Sequence, residues 1–276
     1  MTDFFDPATF LRSQTSVPKF GRLPRLINPL VPKMVDANAV LAPPSPPPYI
    51  DYTVGMPADL GMLMNATVSD CTAAAVLHAQ QVWSFNANPP MTNMTDTEAV
   101  ALYSASCGYK PGDLSTDTGG DEQTVLTYWL KNQVAGNQLA AFIEIDVKDT
   151  DAVKRAIYES GVVYIGFDVP AWLQGAAQHP ASTWDVQPHA DNTIIGGHAV
   201  VLAGYDAVSV RVISWGSYYT MTWAFFGQFI DECYQLADAA WIKQTGQSPG
   251  GLSLAALEAI MKPLRAEASA SPFNWL

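Results

Sequence analysis

Near residue 140 the hydrophobic period of this chain changes, and that change restricts the folds open to it. Ahead of that point apolar residues recur at helical spacing; beyond it they come in alternating or continuous runs of β-branched and aromatic residues. A mainly helical half followed by a mainly β half is the order of a two-lobed α+β fold.

In the first half, Cys71 opens an apolar run continued by Ala75, Ala79 and Val82, with Ser69 and Asp70 ahead of it as N-cap candidates. Thr95 and Glu98 form a capping-box pattern before Val100, Tyr103 and Cys107. The turn Asp117-Thr-Gly-Gly-Asp121 leads into a helix over about residues 122–132, with Val125, Leu126, Trp129 and Leu130 on one side. In the second half, Phe142 to Val147 alternates as a strand does, and Asp149 or Thr150 caps a helix that Gly161 ends. Val162 to Val169 reads as a buried strand, and His198 to Tyr205 with Val208 to Trp215 as a hairpin turning at Asp206. Leu254, Leu257, Met261 and Leu264 mark an amphipathic helix near the end of the chain.

The organisation expected is an N-terminal arm over residues 1–50, a globular domain over 51–245, and a C-terminal helix and tail over 246–276. Pro43 to Pro48 favour polyproline II and block both helix and sheet. The arm carries Phe20, Leu23, Leu26, Ile27, Leu30 and Val31, too apolar a set for a freely solvated tail. It is expected to pack along the globular part or to mediate self-association with a neighbouring subunit; a propeptide-like or partner-binding arm is the alternative.

A net charge of −12 argues against nucleic acid and against an anionic membrane surface as partners, since both need clustered Lys and Arg. The first residues, Met-Thr-Asp-Phe-Phe-Asp, lack the basic and apolar regions of a signal peptide, and no apolar run is long enough to span a bilayer, so a soluble, by default cytoplasmic protein is expected. Cys71, Cys107 and Cys233 are widely spaced and include no Cys-x-x-Cys pair, so neither a metal nor another cofactor is expected. Cys107 falls on an apolar stripe and reads as core.

Cys71 differs in its position. A thiol at a helix N-terminus meets unpaired N–H groups and the positive end of the helix dipole, both of which favour the thiolate. The plainer reading is a small buried hydrophobe among alanines. A partner histidine distinguishes the two, and His198 qualifies: it begins an apolar strand behind Gly196 and Gly197, whose lack of side chains would let a substrate or the other lobe come close.

Cys71 opening a helix, Asn65 six positions before it, Gly197-His198-Ala-Val-Val-Leu-Ala-Gly-Tyr205, and then Ser214-Trp215-Gly216 together resemble the pattern of papain-like cysteine peptidases. The likeness covers roughly residues 52 to 235 and implies a helical lobe followed by an antiparallel, β-barrel-like lobe. It also implies Cys71 as nucleophile and His198 as base. Asn65 holds the place where that family has a Gln donating to the oxyanion hole, with a reach shorter by about 1.5 Å. Where the family has an Asn before Ser-Trp-Gly, this chain has Ile213, which cannot orient an imidazole; Ser214 is the candidate to replace it.

The resemblance implies a thiol protease that hydrolyses peptide or protein substrates through a thioester. A Cys-His dyad also serves amidases and transglutaminase-like enzymes, and the fold can persist in a structural or binding protein without activity. The aromatics after Trp215 (Tyr218, Tyr219, Trp223, Phe225, Phe226) read as core or hairpin packing rather than as a subsite.

Overall fold

A computed structural model of the chain describes residues 19–34, 45–87, 90–175, 178–239, 242 and 254–270. The helical half comes first. Helix α1, Cys71–Ala87, is buried at every residue from Cys71 to Trp83. Its alanines let neighbouring elements approach on all sides, as in a helix at the centre of a protein rather than on its surface. Helix α2, Asp96–Cys107, starts at the Thr95–Glu98 capping box, present in both directions, and stops at Gly108 with φ 78°. Helix α3, Glu122–Lys131, starts at Asp121, whose side chain accepts from Thr124 N.

One sheet of eight strands follows, seven of them from the second half of the chain. They are β1 (Ile50–Asp51), β2 (Leu139–Glu144), β3 (Val163–Pro170), β4 (Thr183–Trp184), β5 (Ile194–Tyr205), β6 (Ser209–Ser214), β7 (Ser217–Thr222) and β8 (Ile230–Asp238). The order is β2-β8-β3-β5-β6-β7-β4, with β1 on β5, and every pair is antiparallel except β4 with β7. Helix α4, Thr150–Ser160, is capped by Asp149 and closed by Gly161 at φ 80°. Helix α5, Trp223–Phe229, links β7 to β8, and α6, Leu254–Ala270, buries Leu257, Met261 and Leu264.

Two expectations need correction. Strand β2 begins at Leu139 and ends at Glu144, three residues earlier than the alternation at Phe142 to Val147 suggests, and all six of its residues are buried. A strand covered on both faces has no reason to alternate. At Cys71 neither N-cap candidate caps through its side chain. Ser69 Oγ turns to Asp117 Oδ2 at 3.3 Å, and both carboxyl oxygens of Asp70 are buried without a hydrogen bond.

Sheet register sets the site. Ile213 stands opposite Val201 in the β5–β6 pair. Because side chains alternate along a strand, Ser214 shares its face with Val200 and His198, while Ile213 turns to the other face and is fully buried. The hairpin then closes over Trp215 (φ 47°) and Gly216 (φ 69°), two successive left-handed residues as a tight two-residue turn requires.

The arm lies against both halves over residues 19–34. Leu23 N donates to Gly120 O and Arg22 N to Gly197 O, both at 2.9 Å, and farther along Glu144 N donates to Pro32 O. Phe20 packs on the core and Val31 is buried, but Leu23, Leu26, Ile27 and Leu30 stay exposed. Residues 1–18, 35–44 and 246–253, and with them part of the proline run, lie outside the described residues. Among the described residues no helix is long and apolar enough to cross a membrane.

Candidate active site

Cys71 is the first residue of α1, and its thiol meets the backbone amides of Ala199, the residue after His198, and of Gly21 in the arm. His198, on β5, is 1% exposed. Its ring stacks on Trp215 at 4.6 Å, and Phe20 and Phe167 meet it edge-on at 5.6 and 5.7 Å. The two ring nitrogens have unlike surroundings. Nε2 lies 2.8 Å from Ser214 Oγ, whereas Nδ1 is buried with no hydrogen bond. Nδ1 is therefore the nitrogen left to exchange a proton.

Asn65 sits in a loop where Leu63 and Met64 both adopt left-handed backbone (φ 49° and 69°), uncommon for residues with side chains. Its backbone oxygen accepts from Lys19 N at 3.0 Å, and its side-chain Nδ2 is buried with no hydrogen bond. That amide favours charge on the neighbouring Asp70 carboxylate without reaching hydrogen-bond geometry. Burial, with Asp117 and Asp96 nearby, nonetheless holds Asp70 well above the usual carboxylate range, which disfavours a charge beside the thiol.

The reactive thiolate that a helix N-terminus favours is not the state this geometry supports. Burial pushes the Cys71 thiol up to about 12, against the pull of the Ala199 and Gly21 amides, and burial alone lowers His198 to about 3. Desolvation outweighs the dipole, and thiol and imidazole are both neutral. The covering layer is the arm. A Cβ on Gly21 would stand 2.0 Å from Ser69 O, and one on Gly119 2.2 Å from Gly21 O, so the arm threads between two walls at backbone contact. Trp215 Nε1 donates to Lys19 O at 3.4 Å on the far side.

Beside the dyad the arm inserts Arg22, its side chain 1% exposed. Arg22 Nε lies 3.4 Å from Glu122 Oε1 and 3.3 Å from Glu232 Oε1, Nη2 lies 2.5 Å from Asp231 Oδ1, and Nη1 lies 3.8 Å from Asp168 Oδ1. Burial opposes the charge on Arg22, but these carboxylates hold it above its ordinary range. The sequence reading missed Gly21, Arg22, Glu122, Asp231 and Glu232. One signal was present: residues 19–34 contain Lys19, Arg22, Arg25 and Lys33 and no acid, in a chain of net charge −12. Lys19 pairs with Asp117 at 3.6 Å, and Arg25 and Lys33 both pair with Glu144.

Cys107 and Cys233 are free thiols, as is Cys71, and among the described residues no group of His, Cys, Asp and Glu is placed to hold a metal ion.

No protein-family model matches the chain, and no curated protein matches it in sequence. Among solved structures it is similar to xylellain, a cysteine protease from Xylella fastidiosa, with TM-score 0.60 and 17% identity over 80% of this chain and 96% of that one. It is similar also to digestive procathepsin L 3 of the Tenebrio molitor larval midgut (TM-score 0.52, 12% identity, 80% and 77% covered). A third likeness is to procathepsin B S9 from Trypanosoma congolense (TM-score 0.53, 13% identity, 79% and 86% covered).

Proposed function

This chain has the papain-like fold, and on that premise we propose that it is a cysteine peptidase whose dyad is Cys71 and His198. The observation that supports the reading most directly is the histidine itself: Nε2 held at 2.8 Å by Ser214 Oγ and Nδ1 unpartnered, on the strand whose next amide meets the Cys71 thiol. Ser214 orients the ring in place of an amide side chain. Asn65 Nδ2, buried without a partner, and the Cys71 backbone N–H are the oxyanion donors.

The chemistry begins when the arm leaves. Water then reaches the site, the penalty on charge falls, and the proton of Cys71 passes to His198. The thiolate attacks a peptide carbonyl, and the oxyanion forms against Asn65 and the Cys71 amide. The C–N bond breaks as the imidazolium gives its proton to the leaving amine, and water, deprotonated by His198, hydrolyses the thioester. With the arm in place the neutral thiol is a poor nucleophile, so a covered and an active form of one chain are part of this reading. The two procathepsins are similar to this chain in fold, which fits an arm acting as an internal cover.

Cys71→Ala should abolish hydrolysis of casein or of a fluorogenic peptide library while shifting the thermal midpoint by only a few degrees. Hydrolysis surviving that substitution would overturn the reading. The burial of the dyad favours one competitor, a binding protein that keeps the fold without activity; for it, Cys71 should alkylate no faster than Cys107 and Cys233 even with the arm displaced.

A further inference from the structure

The carboxylates around Arg22 belong to the body of the protein, not to the arm. Glu122 comes from α3, Asp168 from β3, and Asp231 and Glu232 from β8. Glu122 is fully buried, and its carboxyl meets Arg22 and the neighbouring Glu232 carboxyl. Glu232 is held in place by Tyr234 Oη, which donates to its Oε2 at 3.0 Å and itself accepts from Gln123 Nε2 at 2.9 Å. The space is provided by glycine: a Cβ on Gly166 would stand 2.1 Å from Arg22 Nε and 2.2 Å from Glu122 Oε1. Burial and their mutual proximity push the Glu122 and Glu232 carboxyls up, and Arg22 draws both back down, so a cation in this pocket is what favours their charged forms. A lysine would not serve equally well, because Nε, Nη1 and Nη2 reach separate carboxylates from one planar fork.

The backbone around Arg22 is held as a peptide ligand is held. Gly120 N donates to Gly21 O, Leu23 N to Gly120 O and Arg22 N to Gly197 O, each at 2.9 Å. Main-chain hydrogen bonds to an extended segment accept any sequence, and a side-chain pocket beside them selects one. We propose that the Glu122–Glu232 pocket is an arginine-selecting subsite for peptides bound across Cys71, and that Arg22 occupies it as a stand-in for such a peptide. The link to substrate rests on the peptidase reading; the binding of arginine does not.

The test uses the full chain carrying Gly21→Val and Arg22→Ala, which forces the arm out of its channel and empties the pocket. A fluorescent peptide Lys-Phe-Gly-Arg-Leu should bind it at least tenfold more tightly than Lys-Phe-Gly-Leu-Leu, and adding Glu122→Gln should erase the difference. Equal affinities overturn the proposal. Should the double variant fail to fold, Arg22→Ala alone answers the question: 5 mM propylguanidinium should raise its thermal midpoint and leave the parent chain unmoved, with propylammonium less effective, and an equal response from both proteins overturns the proposal. Arginine-selective binding without any hydrolysis would sink the peptidase reading and leave the pocket standing; hydrolysis with no preference for arginine would do the reverse.

Discussion

At His198 the position of one proton decides whether the ring can work. Ser214 Oγ, 2.8 Å from Nε2, is the group that holds the ring, and its removal leaves Nε2 buried and unpaired. Ser214→Ala should therefore lower kcat/KM by roughly fivefold to tenfold, on the order of 1 kcal/mol of transition-state stabilisation. Ile213→Asn should not repair the loss. That side chain lies on the opposite face of β6 in the core, so the new amide would be buried unpaired, at a cost of about 1–3 kcal/mol in a urea melt with no gain in activity. A second residue-scale consequence concerns Glu159, fully buried, whose Oε2 accepts from Gln235 Nε2 at 2.9 Å and which burial raises to about 7. The folded state keeps this proton up to about pH 7, while the unfolded chain releases it near the ordinary value of 4.5. Stability from this group is thus full below about pH 4.5 and is lost as pH rises toward 7, a fall of roughly 3 kcal/mol at about 1.4 kcal/mol per pH unit. Glu159→Gln should flatten that part of the stability profile and leave the protein more stable than the parent at pH 8; equal slopes in denaturant melts between pH 5 and 7 would show the carboxyl to be ordinary.

At the scale of elements, what the sequence makes legible are segments whose signal is local. The capping box at Thr95, the Asp149 and Gly161 ends of α4 and the Asp206 turn are each written in two or three residues, and each stands where the pattern puts it. Signals that depend on distant partners are not legible. Ser69 fails as a cap because Asp117, 48 residues away, takes its backbone N–H and hydroxyl instead, while the Asp70 carboxyl is buried without a hydrogen bond. Strand β8 carries no regular alternation, since burial on both of its faces makes nearly every position apolar or paired. The hairpin turn joins the two halves of the site: a Cβ on Gly216, which already has φ 69°, would stand 2.6 Å from Gly61 O, in the loop that carries Asn65. Gly216→Ala should cost more than about 1 kcal/mol through left-handed strain alone, lowering the thermal midpoint by at least about 2 °C, and should reduce activity beyond what Asn65→Ala does. A midpoint unchanged within error would mean that the loop moves freely.

For the molecule as a whole, the arm is where charge, burial and reactivity meet. Its four cations face an acidic body, and the Lys19–Asp117 pair at 3.6 Å, with its lysine exposed, is screened by salt, whereas Arg22 is buried with Glu122 and Glu232 and only its outer partners Asp168 and Asp231 are open to solvent. Displacing the arm by ionic strength is thus ineffective; displacing it by shape is not. Gly21 is the tightest point, with a Cβ position 2.0 Å from Ser69 O and rigid backbone on both sides, so Gly21→Val cannot be accommodated by a side-chain adjustment. The body should stay folded, because its core is drawn from the helices α1 to α4 and the sheet, and of residues 19–23 Phe20 alone packs against it. With the arm out, the desolvation that holds Cys71 near 12 and His198 near 3 is relieved, and the two values move toward each other. Iodoacetamide at pH 7.5 should then label Cys71 at least tenfold faster than in the parent chain, with the partly buried Cys107 and the buried Cys233 labelled at their former rates. If Gly21→Val leaves a cooperatively folded protein in which Cys71 reacts no faster, the arm is not what keeps the thiol neutral, and the cause of its inertness lies in the body of the protein.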